Sequence, residues 1–587
     1  MTRNTCLRIQ LAFLQIFRSS PERIDSSSPA LKDLAMRLEI PCLVLLLLVQ
    51  TLPATQHGAV ATVDPIATDA AVAAMKKGGN AIDGAVAAGL TLGVVNGYNS
   101  GIGGGCFMML RLANGKIIAI DGRETAPAAA RRDMYLRNGK PDTQASKVGA
   151  LASGVPGALA AYDHALKHHG KLPLKWHLEN AARIAEMGFK IPPAYAGRIK
   201  ANAPNLRRFK SSAALLLDAK SVPLHAGALL RQPELAATYH AIAREGIGWF
   251  YGGPFAKSTE NWMHANGGIL TAADFQNYRV KRREPVRTTY RGYEIAGMPP
   301  PSSGGVHVGQ ILNILENFSL HGMEPNSADF IHLTAESMKL AFADRAHWLG
   351  DADFAPVPRG LIDKKYSAKL ARQIRMGRAI DVKAHGHPPR ATDDLFNRHT
   401  THFSVADHEG NWVACTATIN THFGSKVIIP GTGVFMNNEM DDFSIAPGTP
   451  NAFGLIGAEA NAIAPGKRPL SSMSPTIILK DGQPILAVGA AGGPTIITQT
   501  LLAIIHIIDF NRPLKETLAQ PHFHHQWRSN GIRIEKQVGA KVLAELKRRG
   551  HKLQVVQTMG ATQAVSQTRG KLEAAHDPRL KGKSVDF

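Results

Sequence analysis

The stretch Thr400-Thr401-His402-Phe403-Ser404-Val405-Ala406-Asp407 holds residue types suited to acyl transfer. A polar, turn-rich segment from Pro388 to His399 leads into it. Phe403 and Val405 then alternate with Ser404 and Ala406 as in a β-strand. Asp407-His408-Glu409-Gly410-Asn411 supplies turn chemistry, and Trp412 to Ile419 reads as the returning strand. A threonine therefore stands where an exposed linker enters a buried hairpin. Cleavage before Thr400 would give it both a hydroxyl and a free α-amine. Such an amine titrates at about 7.7–8.0, so it can act as a base near neutral pH. A threonine paired with its own amine is a known activated nucleophile. Taken alone, the octapeptide reads first as a β-prone Thr-Thr pair opening a strand, and the chemistry needs support from elsewhere in the chain.

Acyl transfer through a threonine needs a nucleophile, a base, oxyanion donors and a substrate clamp. Thr400 would supply the first two after cleavage. Gly492 and Gly493 precede a helix reading from Thr495 to Ile508, so their N–H groups can face a developing oxyanion.

Three motifs in order, Thr400-Thr401-His402-Phe403-Ser404, Asn437-Asn438-Glu439-Met440-Asp441-Asp442-Phe443-Ser444 and Lys467-Arg468-Pro469-Leu470-Ser471-Ser472-Met473-Ser474-Pro475-Thr476, resemble those of the γ-glutamyltransferase (γ-glutamyltranspeptidase) family. The resemblance runs from about His57 to the C-terminal region. It implies an α+β fold: the αββα four-layer N-terminal-nucleophile hydrolase sandwich, formed jointly by two fragments of one precursor. Periodicity alone gives only α+β. The resemblance also implies roles. Thr418 would hydrogen-bond the nucleophile. Arg123, Ser471 and Ser472 would hold a substrate α-carboxylate, and Asn420, Glu439 and Asp442 its ammonium. A zwitterion calls for such a pairing of donors and acceptors. Glutathione or another γ-glutamyl compound would acylate Thr400, and water, an amino acid or a dipeptide would take the acyl group. Thr400 would also drive the self-cleavage that frees it, and neither step needs a metal or cofactor. Where some bacterial relatives carry a tyrosine in the loop after Asp442, this chain has Phe453, which cannot hydrogen-bond Asn420; the loop from Ile445 to Gly454 reads as a mobile cover. A cephalosporin or glutaryl acylase of similar fold, and a non-catalytic secreted binding protein, are the rival readings.

The elements that must position these residues are partly legible. Asp64-Pro65 is a helix start, an N-cap acid before proline, and the helix ends at Gly78-Gly79. A second helix runs from Ala81 to Val95. Gly101 to Gly105 lacks phosphate-loop spacing and suits close backbone packing instead. A strand pair follows, Phe107–Leu112 and Lys116–Asp121. Pro156 to Leu349 reads as mainly helical, with an amphipathic helix from Ala335 to His347. The Pro299 to Gly305 loop lacks the nucleophile-elbow order and reads as structural. Thr476–Leu479 and Pro484–Val488 form a hairpin about Asp481-Gly482.

The totals, 587 residues, 44% hydrophobic, 19% charged and a net charge of +21, suit a large globular chain. The basic runs Arg279–Arg283 and Lys547–Arg549 are not interleaved with aromatics, so no nucleic-acid partner is expected. No Cys-x-x-Cys or His/Cys metal spacing occurs, and His522-Phe523-His524-His525 reads as structural. Ile40 to Val49 is a short apolar run after Met36-Arg37 and before Leu52-Pro53-Ala54, as in a signal peptide. The expected organisation is an over-long extension at 1–35, a signal peptide at 36–54, a large subunit at 55–399 and a small catalytic subunit at 400–587, forming a periplasmic or secreted heterodimer. Cys106 and Cys415, the two cysteines left after residues 1–54, are expected as separate buried thiols.

Overall fold

The strand Gly105–Arg111 sends Phe107 and Met109 to one face and Cys106, Met108 and Leu110 to the other, and all of it is buried. A strand apolar on both faces needs cover on both sides. In the computed structural model, which describes residues 57–389, 402–446, 448–528 and 531–587, one cover is a second sheet and the other is helical. Thr400, the 1–35 extension, the signal peptide at 36–54 and Pro447 of the covering loop lie outside the described residues.

The sandwich strands are, in chain order, β1 (Gly58–Thr62), β2 (Gly105–Arg111), β3 (Ile117–Gly122), β4 (Lys281–Arg283), β5 (Val286–Tyr290), β6 (Tyr293–Gly297), β7 (Phe403–Asp407), β8 (Trp412–Thr418), β9 (Thr476–Lys480), β10 (Gln483–Ala491), β11 (Ala561–Thr568), β12 (Lys571–His576) and β13 (Lys583–Asp586). One sheet has the order β13-β1-β7-β8-β2-β3-β4, the other β12-β11-β10-β9-β6-β5. The main helices are α1 (Pro65–Lys76), α2 (Ala81–Val95), α3 (Ala158–His169), α4 (Leu174–Met187), α5 (Gly304–Leu315), α6 (Ala328–Trp348) and α7 (Thr495–Ile508). Phe107, Met109, Ala414 and Ala119 of the first sheet meet Ile477, Ala487, Val565 and Ala296 of the second in one apolar layer. The outer face of the first sheet packs on α1, α2 and α3, with α4 against α2, and that of the second on α5 and α7, with α6 against α5. The layers therefore run αββα, as expected. β7 lies between β1 and β8, so segments from both sides of position 400 share one sheet.

Local signals account for many boundaries. Asp64 Oδ1 accepts from Ile66 N at 2.9 Å, and Pro65 opens α1. Asn80 and Asp83 cap α2 reciprocally. Asp481 and Gly482 both have positive φ, 51° and 76°, as a two-residue hairpin turn demands. A Cβ on Gly103 or Gly104 would overlap the carbonyls of Phe435 and Thr418, which supports the close-packing account.

One expectation needs an addition and another a correction. The stretch read as mainly helical is so, and it also contains β4, β5 and β6. β4 carries the basic run Lys281-Arg282-Arg283 as the edge strand beside β3, where charge discourages further pairing. The helix read as amphipathic, α6, is buried on every side from Phe330 to Arg345, including its Glu336, Lys339, Asp344 and Arg345.

Candidate active site

β7 opens where the sheets meet. Phe403 pairs with Cys415, and Thr418 with Gly105, so the start of β7 and the end of β8 share one end of the first sheet. His402, two residues after Thr400 in the chain, is fully buried with Ser404 beside it. Ser404 Oγ donates to Ala487 O of β10 at 3.1 Å, and His402 Nε2 lies 2.7 Å from Ser404 Oγ. The serine's proton is therefore spent on β10, and the ring donates through Nε2. Nδ1 is left to accept from Thr416 Oγ1 at 3.4 Å. Burial pulls His402 down to about 3, so this ring is neutral. Gly489 makes room for it, since a Cβ there would overlap the imidazole. The network ties the first residues of β7 to β10, whose end leads into Gly492 and Gly493.

That glycine pair has φ of 133° and 60°, backbone that L side chains rarely adopt. Neither N–H is taken by a backbone carbonyl among the described residues. Gly492 O accepts from Thr495 Oγ1 at 2.8 Å, which fixes the turn at the head of α7. The Phe453 ring packs where a side chain on Gly493 would sit, so the covering loop lies over the glycines. What holds that loop is not a tyrosine hydroxyl. Asn451 Nδ2 donates to Asp442 Oδ1 (3.0 Å), Ala452 N to Asp441 Oδ2 (2.8 Å), and Gln526 Nε2 to Phe453 O (3.2 Å).

Arg123 follows β3 and is fully buried. Its Nη1 pairs with Glu439 and stands 3.6 Å from Glu124, while Nη2 reaches Asp442 Oδ2 at 2.7 Å. Nε donates to Pro469 O (3.3 Å), which binds the arginine to the loop that carries Ser471 and Ser472. Tyr278 Oη donates to Arg123 O (2.7 Å) and Asp121 Oδ1 accepts from Arg123 N (2.9 Å), so the segment is pinned from both sides. Burial works against the arginine's charge, but Glu439, Glu124 and Asp442 together hold it above the ordinary range. The acids pay the converse: burial raises Glu439 and Asp442 despite Arg123, and pushes Glu124 up to about 7. One buried cation cannot keep three neighbouring carboxylates ionised.

Three of the expected clamp residues, Arg123, Glu439 and Asp442, thus meet, with a difference in arrangement. Arg123, assigned to the carboxylate end, is ion-paired with Glu439 and Asp442, assigned to the ammonium end. Asn420 has φ of 74°, and its N–H donates to Thr418 Oγ1 (2.8 Å). Its Nδ2 donates to Asn438 O (2.8 Å), which couples the end of β8 to the Glu439–Asp442 turn. Ser303 grips Ser471 O through both N (2.9 Å) and Oγ (2.6 Å). The Pro299 to Gly305 loop is therefore the shelf beneath the two serines, a structural role as expected. Sequence reasoning missed Glu124, Asn451 and Arg345. Adjacency to Arg123 was a signal for the first; Arg345 gave none, because it looked like one of many polar residues on a helix. His522 bonds Met559 O, His524 bonds Thr498 and Gln526, and His525 accepts from the N–H of Trp527, so each histidine of that run has a hydrogen-bond partner in the fold. Cys106 and Cys415 are both buried and free.

Known proteins share this architecture. The crystal structure of cephalosporin acylase from Bacillus halodurans matches with a TM-score of 0.80 at 27% identity, covering 91% of this chain and 98% of that one. The fold is that of the N-terminal-nucleophile hydrolases. A protein named glutathione hydrolase proenzyme, from Escherichia coli (strain K12), is 41% identical over 527 residues, 89% of this chain and 90% of its own. A protein named acylase ACY 1 proenzyme, from Pseudomonas sp. (strain SE83), is 41% identical over 506 residues, 85% of this chain and 87% of its own. Relatives of two names thus stand at equal identity, but the family model described as Gamma-glutamyltranspeptidase matches residues 67–587, the span that holds the sandwich, the Arg123 cluster and the glycine turn. On that match the chain belongs to the gamma-glutamyltranspeptidase family.

Proposed function

We propose that this protein is a self-processing γ-glutamyltransferase that cleaves the γ-glutamyl bond of glutathione and related compounds. The observation that supports it best is the buried Arg123–Glu439–Asp442 cluster, bonded through Pro469 O to the loop that carries Ser472. It offers both charges to an amino-acid head group, which a plain acyl chain would not need. Thr400 Oγ attacks the carbonyl of His399, the acyl group shifts from nitrogen to oxygen and so frees the threonine amine, and water then hydrolyses the ester, leaving a carboxylate on His399 and freeing the threonine hydroxyl. In turnover, that amine takes the hydroxyl proton as Oγ attacks the γ-carbonyl. The Gly492 and Gly493 N–H groups receive the developing oxyanion, and Thr418 orients the nucleophile. Collapse expels the leaving amine and leaves a γ-glutamyl ester on Thr400. Water or the amine of an amino acid or dipeptide then takes the acyl group. Two subunits, 55–399 and 400–587, make one active unit. Export to the periplasm or medium goes with the apolar run before Ala54.

The acylase reading is kept as second because of the equally similar relative of that name. A denaturing gel and intact mass test processing: the wild type should give a fragment starting at Thr400, and Thr400→Ala should stay one chain. A fully active protein that remains uncut overturns the proposal. Release of p-nitroaniline separates the enzyme readings. A γ-glutamyl donor should outrun a glutaryl donor, which keeps the carboxylate but lacks the ammonium; the reverse order supports the acylase.

A further inference from the structure

Arg345 lies three residues before the end of α6, 3% exposed, in a helix whose other contacts are structural. Its Nε donates to Ser303 Oγ at 3.0 Å and its Nη2 to Ser472 Oγ at 3.2 Å. Among the described residues, both hydrogen bonds end on hydroxyls. A buried guanidinium ordinarily finds a carboxylate, because an uncompensated buried charge is costly. Arg123, by contrast, is surrounded by Glu439, Asp442 and Glu124. A substrate carboxylate approaching Arg123 must compete with three acids already there. One approaching Arg345 competes with none that bonds it among the described residues, although Asp442 is near enough for the two charges to act on each other.

The two serines at the guanidinium differ in one respect. Ser303 accepts from Arg345 and passes its own proton to Ser471 O at 2.6 Å. Ser472 also accepts from Arg345, but its own proton has no acceptor among the described residues. With a lone pair of Ser472 Oγ held by the arginine, the hydroxyl can serve as a donor to an incoming anion. Burial lowers Arg345 to about 10, which still leaves it charged at neutral pH.

We propose that Arg345 is a positioning residue for the substrate's α-carboxylate, holding the Ser472 hydroxyl as a donor and adding a second cation on the Asp442 side of the cluster. This deepens the γ-glutamyl reading and rests on it. The ligand chemistry is a carboxylate one carbon beyond the acyl chain's second methylene, as in a γ-glutamyl or glutaryl group.

The test uses mature wild type, Arg345→Gln, Arg345→Lys, Ser472→Ala and the Arg345→Gln/Ser472→Ala pair. Donors are the p-nitroanilides of γ-glutamate and of 4-aminobutyrate, which keeps the ammonium and lacks the carboxylate. Arg345→Gln should raise KM for the γ-glutamyl donor about tenfold or more, with kcat within about threefold. Lysine should restore part of that loss, since one ammonium cannot hold both serines. The double variant should be no worse than about twofold beyond the poorer single variant, because the two act as one unit. kcat/KM for the 4-aminobutyryl donor should be unchanged by Arg345→Gln. Three results overturn the proposal: KM unchanged in both arginine variants, equal losses on both donors, or failure of both variants to fold and process, which would make Arg345 a folding residue. Should the wild type prefer glutaryl over γ-glutamyl donors, the proposed function fails instead. Arg345 is then read on the glutaryl p-nitroanilide, whose carboxylate remains.

Discussion

Replacing Asp442 by asparagine keeps the side chain's volume and one acceptor oxygen while removing its charge. Asp442 uses both oxygens, Oδ2 for Arg123 at 2.7 Å and Oδ1 for Asn451 at 3.0 Å. An amide has one acceptor, so one of those bonds is lost; the guanidinium is the stronger donor and should keep it. Arg123 also retains Glu439 and Glu124, so the fold should survive. Arg123→Ala is a poorer probe, because it leaves buried acids without a partner, a loss on the order of 3–5 kcal/mol. For a bound amino acid, the substitution turns a charge-assisted contact to the ammonium into a neutral one. The difference is about 1–2 kcal/mol, or roughly fivefold to thirtyfold in kcat/KM. Losing the Asn451 contact loosens the covering loop as well, and that loss falls on any donor. The decisive quantity is therefore a ratio: kcat/KM for γ-glutamyl p-nitroanilide over that for glutaryl p-nitroanilide, which has no ammonium. Asp442→Asn should lower the ratio about fivefold to thirtyfold. A ratio unchanged from the wild type, whatever the absolute rates, refutes the assignment of Asp442 to the ammonium.

Gly489→Ala would drive a methyl group into the His402 imidazole, so it should lower stability by about 1–3 kcal/mol, read from a denaturation midpoint, and slow the appearance of the Thr400 fragment on a gel. Glu124→Gln addresses pH. Burial raises Glu124 from about 4.5 to about 7, so between those values the folded chain holds a proton that the unfolded chain has released. Its contribution to stability is present in full below about 4.5 and is lost as pH rises through about 7. The variant's melting temperature should fall less from pH 5 to 8 than the wild type's, with about 1.4 kcal/mol at most involved for each pH unit.

Features set by neighbours in the chain could be read without the fold. The Asp64-Pro65 helix start, the Asp481-Gly482 turn and the helix from Thr495 to Ile508 depend on bonds a few residues long, and each stands where it was expected. The motif order also named the family, because residue identities survive whatever the coordinates are. The β5–β6 hairpin escaped notice because its turn, Arg291-Gly292, uses an arginine at φ of 50° in place of the Asn or Asp that would mark it. α6 looked amphipathic because its polar residues were counted as solvent-facing, whereas the layers on every side bury them.

The site lies further still from local pattern. Arg123 reaches Asp442 across 319 residues, His402 is wedged against a glycine on another strand, and Arg345 meets Ser472 across 127. Spacing along the chain can say that a cation and an acid are both present. Only the packed sandwich decides that they share one buried volume, where weak dielectric screening raises the acids, and leaves one arginine bonded to hydroxyls rather than to a carboxylate among the described residues.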